Sequence, residues 1–177
     1  MAVASPSASA TPLPTIGPSV APSPTLVAPS ATPVPSLVPC DAADLAARIT
    51  SWEGAAGSRI ATVTLSVGGA GPCGLPTTAR PALIDAHRAV LAQGKITNGN
   101  GGTAAVGALR VQPGDVLTTL VSVANVCGAT PAPPVTLVFD LGSGSLTAQP
   151  LSPTDDTVPP CNGPSQPPSI EMQPWSR

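Results

Sequence analysis

The run Arg59-Ile60-Ala61-Thr62-Val63-Thr64-Leu65-Ser66-Val67-Gly68-Gly69-Ala70-Gly71-Pro72-Cys73-Gly74-Leu75 decides the fold class. Ala61, Val63, Leu65 and Val67 alternate with Thr62, Thr64 and Ser66, and β-branched residues recur throughout. A period of two with that composition reads as a half-buried strand whose apolar face meets a core. Gly68 to Pro72 form a turn through which no strand continues. Cys73 stands just beyond it. Strand, glycine turn and cysteine together suggest one edge of a disulfide-stapled β-sandwich.

The rest of the chain repeats the theme. Asp41 is placed to cap a short helix, but Leu45, Ala47 and Ile49 alternate, and a strand is the favoured reading of Asp41–Ile49. Trp52 to Gly57 reads as the turn into the decisive strand. Pro81–Asp85 and Ala89–Leu91 read as a hairpin about Ala86-His87-Arg88, and Asn98–Gly102 as a flexible loop. Ala104–Val111 is a weak strand. Gln112-Pro113-Gly114-Asp115 places Pro and Gly as a type II turn requires. Val116–Val126 is a long strand ending at Cys127. Val135–Leu141 alternates cleanly, Gly142–Ser145 turns, Leu146–Ala148 follows, and Ser169–Trp175 closes the set. Short strands at such intervals predict an all-β, immunoglobulin-like antiparallel β-sandwich over residues 40–177.

Residues 1–39 differ. They hold ten of the 25 prolines, in a Pro-Ser-Ala-Thr theme, and no charged residue. Such a segment buries too little surface to offset its ordering entropy, so a disordered, semi-rigid stalk or linker with polyproline-II character is expected. Met1–Ala10 lacks the charged and apolar regions of an export signal. Nothing approaches the roughly 20 apolar residues of a membrane-spanning helix. Membrane association is therefore expected only through an anchor outside this sequence.

Composition narrows function. Of 177 residues 9% are charged, the net charge is −2, and aromatics make up 2%. No basic patch is available for nucleic acid, and few platforms exist for stacking bases or sugars. Cys40, Cys73, Cys127 and Cys161 are spaced 33, 54 and 34 residues apart. None forms a C-x-x-C pair and His87 is the single histidine, so disulfides are expected rather than a zinc site. Three pairings are possible. Cys40 with Cys73 and Cys127 with Cys161 is the expected one. Each ring would contribute roughly 3–4 kcal/mol in the chain-entropy model, and disulfides imply an extracellular or cell-surface location.

The remaining residues offer no recognisable catalytic set. His87 has no recognisable nucleophile motif around it. Gly142-Ser143-Gly144-Ser145 is a turn, not a nucleophile elbow. Gly94-Lys95-Ile96 fails as a phosphate loop. Asp155-Asp156 lacks a calcium-loop context. Asp85 and Asp140 could form a glycosidase pair, but without aromatic subsites. Met1, Met172 and His87 make no credible copper set. Trp52 and Trp175 read as packing residues.

Several motifs in order carry a resemblance: Cys40-Asp41-Ala42-Ala43-Asp44-Leu45, Ala56-Gly57-Ser58, Pro72-Cys73-Gly74-Leu75, Pro81-Ala82-Leu83-Ile84-Asp85, Val111-Gln112-Pro113-Gly114, Asn125-Val126-Cys127 and Pro160-Cys161-Asn162-Gly163-Pro164. From Cys40 to about Trp175 the chain resembles the bacterial family called domain of unknown function 4232. The resemblance implies an exported or lipid-anchored actinobacterial envelope protein behind a Pro/Ser/Thr-rich spacer, and it brings no established activity. Two departures stand out. Val67-Gly68-Gly69 occupies the place of a frequent Asn-x-Gly, and His87-Arg88 stands where the hairpin usually has a glycine. The expectation is a non-enzymatic domain of the cell envelope, without cofactor, that binds an envelope protein or glycan or serves a structural role. The alternatives are an accessory or substrate-binding domain of an envelope enzyme, and a small-ligand or metal carrier.

Overall fold

The computed structural model describes residues 37–55, 57–95, 107–128, 130–152 and 158–177. The expected stalk up to residue 36, the Asn98–Gly102 loop and Asp155-Asp156 lie outside the described residues.

Among the described residues ten strands follow in chain order: β1 (Leu45–Ala55), β2 (Ser58–Val67), β3 (Cys73–Pro76), β4 (Arg80–Ile84), β5 (Val90–Gln93), β6 (Ala108–Val111), β7 (Val116–Ala124), β8 (Thr136–Asp140), β9 (Ser145–Pro150) and β10 (Ser169–Met172). Eight form one sheet in the order β10-β7-β2-β1-β9-β8-β4-β5, and β3 pairs with β6 in a second. No α-helix occurs among the described residues.

The decisive strand behaves as its alternation requires. Ala61, Val63, Leu65 and Val67 are buried, and Thr62, Thr64 and Ser66 face outward. β2 lies between β1 and β7, antiparallel to both. Its turn is tighter than the sequence suggests. Trp52–Ala55 belong to β1, so Ala55 pairs with Ser58, and Gly57 supplies the positive φ of 77°. A register shift between Ile49 and Ser51 keeps the apolar face inward.

The expectation of an antiparallel sandwich is corrected at one seam. β1 and β9 run parallel, with Ala47 opposite Ala148 and Arg48 opposite Gln149. A parallel pair needs a long connection, and β2 to β8 together supply it. The sheet is therefore mixed. Its far edges return toward each other, for β10 lies against β4 and β5. At that closure a Cβ on Gly94 would stand 2.9 Å from the Ile170 carbonyl oxygen and 2.9 Å from the Pro81 ring.

β3 was not expected as a strand, and Gly74 and Pro76 each weaken one. It forms because Leu75 and Val111 are wholly buried and the backbone pairs from Cys73–Val111 to Pro76–Ala108. On its other side the Gly74 N–H donates to the Val38 carbonyl at 2.7 Å, and the Cys40 N–H donates to the Gly74 carbonyl at 3.1 Å. Asp41 both caps and precedes a strand. Its Oδ1 accepts from the Ala43 N–H at 2.9 Å over a single 3-10 turn, Ala42–Asp44, before β1 begins. Between β6 and β7 the Asp115 N–H donates to the Gln112 carbonyl at 3.0 Å and Gly114 takes φ 90°, as the Pro-Gly turn predicts.

Both disulfides form in the expected pairing, Cys40–Cys73 and Cys127–Cys161. The core between them is aliphatic, with Phe139 wholly buried and its ring centroid 5.7 Å from that of Trp175. Such burial contributes about 1.5–3 kcal/mol per large side chain. β10 stops at Met172 because Pro174 has no N–H to donate. Pairing resumes beyond it, where Thr118 and Ser176 exchange two backbone hydrogen bonds at 2.7 and 2.9 Å.

Candidate functional site

An open cleft of about 530 Å³ lies where the β4–β5 turn meets the outer face of β8 and β9. One residue builds its wall. Asp85 follows β4 with 8% of its surface exposed. Its Oδ1 accepts from the backbone N–H groups of His87 and Ala89, both at 2.9 Å, and its Oδ2 accepts from that of Ala132 at 3.3 Å. The Ala86 N–H donates to the Ala132 carbonyl at 2.9 Å, so one carboxylate and one backbone bond fasten the turn to the 130–134 segment. The N–H of Ala89 is the largest influence holding the Asp85 carboxyl below its ordinary value; burial opposes it, while the N–H groups of Ala132 and His87 and the nearby His87 ring add to it.

This corner forces the next residue but two into an unusual backbone. Arg88 has φ 64°, in the left-handed region. For a residue with a Cβ that conformation costs about 1–2 kcal/mol relative to the right-handed one. It is the position in this hairpin where glycine would sit without strain. A long charged side chain held there points to a use for the side chain.

Arg88 lines the cleft together with Ile84, Pro134, Thr136, Thr147 and Gln149. Ladder register places Thr147 and Gln149 on the outward face of β9, and sets Arg48 of β1 directly beside Gln149. Arg48 is exposed. Among the described residues neither Arg48 nor Arg88 meets a carboxylate. The ion pairs among the described residues are Arg80–Asp140 at 2.6 Å and Arg177–Asp115 at 3.2 Å.

No protein-family model, curated protein or solved structure matches the chain. The site is therefore read from its own chemistry.

The residues singled out in the sequence divide sharply. Asp85 and Asp140 do not form a carboxylate pair. Arg80 opposes Asp140 at one end of the β4–β8 ladder, and Asp85 lies beyond the Ile84–Thr136 pair at the other. That is about 14 Å or more along the strands, beyond the separation of a retaining or inverting pair. Asp140 instead holds the next turn through the Gly142 N–H at 3.0 Å, the main cause of its lowered carboxyl pKa, ahead of its Arg80 partner. His87 is exposed beside the cleft. Met172 is far from His87 in role, since its Sδ accepts the Ala79 N–H at 3.4 Å. Trp52 and Trp175 pack, Trp175 at 5% exposure. No three His, Cys, Asp or Glu side chains gather among the described residues.

A second hollow, about 260 Å³, lies over Ile60, Leu120, Ser122 and Met172, with Thr78 and Glu171 at its border. The buried Thr78 Oγ1 has no hydrogen-bond partner, but the hollow carries no cation. Sequence reasoning missed Arg88 as a site residue. Its signal was the absence of a glycine in the β4–β5 turn.

Proposed function

We propose that this is a non-catalytic binding domain of the bacterial cell envelope, held outside the membrane behind its Pro-rich N-terminal segment. The observation that carries the reading is the pair of disulfides, Cys40–Cys73 and Cys127–Cys161, which fits an oxidising, extracellular-type compartment. The all-β composition, the two disulfides and the return of β10 against β4 and β5 support an immunoglobulin-like arrangement. The ordered cysteine and Pro-Gly motifs support kinship with the domain of unknown function 4232 family.

The chemistry of the cleft favours binding over catalysis. Its carboxylate is committed to three backbone N–H groups, and its cation is an arginine, which keeps its proton at any physiological pH. Neither is free to move a proton. The test is export of the chain behind a secretion signal in a bacterial host, followed by fractionation and non-reducing peptide mapping. Both disulfides intact in protein that co-sediments with isolated envelopes is the expected result. Four free thiols, or no retention by envelopes, overturns the proposal.

A further inference from the structure

We infer that the Arg88 cleft is an anion-recognition site for an acidic glycan, read by Arg88 and Arg48 across the outer face of β8 and β9. The inference rests on the envelope-binding reading above and names its ligand class.

Three observations converge on it. First, Arg88 keeps a strained φ of 64° where glycine would relax, and the Asp85 network fixes that backbone rather than letting it drift. The backbone that carries the guanidinium is thus set before any ligand arrives, so none of its ordering is left to binding. Second, Arg88 and Arg48 are both without a carboxylate partner among the described residues. Asp85 is the lining's one acid and its charge is spread over three backbone donors. Among the described residues the two arginines less this one carboxylate leave a single positive charge, although the chain as a whole carries −2. Attraction therefore comes from this place and not from the overall field. Third, the surface between the arginines is Gln149, Thr147 and Thr136, an amide and two hydroxyls suited to hydroxyl-rich partners.

The arrangement also selects against other occupants. Arg48 and the β4–β5 turn are separated by β9 and β8, about 15 Å at the spacing of adjacent strands. A single small anion reaches one arginine, whereas an extended polymer reaches both. A peptide adding as a strand needs a free backbone edge, but β8 and β9 are interior strands paired on both sides. Arginine forks donate to carboxylate or phosphate oxygens in pairs. With no aromatic platform in the cleft, recognition rests on charge and hydrogen bonds at an exposed surface, and it weakens as salt rises.

The test uses the whole chain, disulfides intact, with three soluble polymers: polygalacturonate, poly(glycerol phosphate) and neutral dextran. Binding is measured by calorimetry at low and at physiological ionic strength. Polygalacturonate binding that falls with salt, with dextran silent, is expected. Arg88→Gly should lower affinity on the order of tenfold while leaving the urea midpoint unchanged or raised, since it relieves the backbone. A residue kept only for structure would not give that combination. Arg48→Gln should weaken binding independently, and Lys95→Gln, an equal charge change outside the cleft, should not. Preference for poly(glycerol phosphate), or no binding to either acidic polymer, overturns the glycan assignment. Unchanged binding by Arg88→Gly overturns the site. In each of those cases, envelope co-sedimentation by the same protein shows whether the broader reading stands without it.

Discussion

Asn125 is the most consequential polar side chain outside the cleft, and its replacement tests how the chain's last quarter is held. It ends β7 with φ 56° and is 6% exposed. Its Oδ1 accepts from the N–H groups of Asn162 at 2.8 Å and Gly163 at 3.0 Å. Its Nδ2 donates to the carbonyls of Gly163 at 3.0 Å and Gln166 at 2.6 Å. One carboxamide thus satisfies four backbone groups of a segment that has no strand of its own. Each such bond contributes about 0.5–1.5 kcal/mol net. The segment's surface is largely exposed, so water can replace part of what is lost. That places the side-chain loss near 2–4 kcal/mol, and alanine in the left-handed region adds about 1–2 more. Asn125→Ala should therefore cost about 3–6 kcal/mol, a large share of a typical domain's stability. Asn125→Gly relieves the backbone but loosens the unfolded chain, and should be milder by about 1 kcal/mol. Asn125→Asp keeps the acceptor and sets a carboxylate against two carbonyls. Its folded pKa is raised, so its deficit should shrink as the pH falls and the protonated oxygen donates again. The assay is equilibrium urea unfolding followed by tryptophan fluorescence, under non-reducing conditions. Asn125→Ala within about 0.5 kcal/mol of the parent would refute the account, leaving the hold to Cys127–Cys161 and the Asn162–Gly57 hydrogen bond.

Three further outcomes are expected. The Asp85 carboxyl titrates below its ordinary 3.8, so its contribution is complete above that value and vanishes as the pH falls through the folded one; the gap in urea midpoint between the parent and Asp85→Asn should be widest at neutral pH and close in acid. Cys40→Ser with Cys73→Ser opens a ring of sequence separation 33 and should lower stability by about 4 kcal/mol in the chain-entropy model, read from the same unfolding curves. Gly94→Ala drives a Cβ against the Ile170 carbonyl at the sheet closure and should cost about 1–3 kcal/mol, with hydrogen exchange rising first at β10.

What could be read from the chain follows from what each signal physically is. Alternation is a property of one strand and its burial, so β2 and β8 were legible residue by residue. The Pro-Gly turn before β7 was legible because φ restrictions are local. Partner choice is not local. Leu146 and Ala148 alternate identically whether β9 pairs parallel or antiparallel with β1, so the mixed sheet was invisible. β3 was hidden by Gly74 and Pro76, residues that weaken a strand alone but are tolerated in a short edge pairing. Trp52–Ala55 looked like a turn because Glu53 and Gly54 interrupt the apolar run, while the pairing through Ala55–Ser58 carries the strand on. The cleft was least legible. Asp85, Ala132, Gln149 and Arg48 come from four distant parts of the chain, and the Arg88 backbone depends on all of the contacts that hold the turn.

The parallel seam also bears on when the domain can exist during its own synthesis and delivery. β1 is among the first elements to emerge and β9 among the last, yet they lie side by side in the finished sheet. Until β9 arrives, β1 carries an open edge, a template for pairing with other chains. Contacts so distant in sequence form slowly, because loop-closure entropy must be met before they stabilise anything. A sheet that can close only when the last third of the chain arrives leaves the chain exposed to aggregation if it is held back at that point.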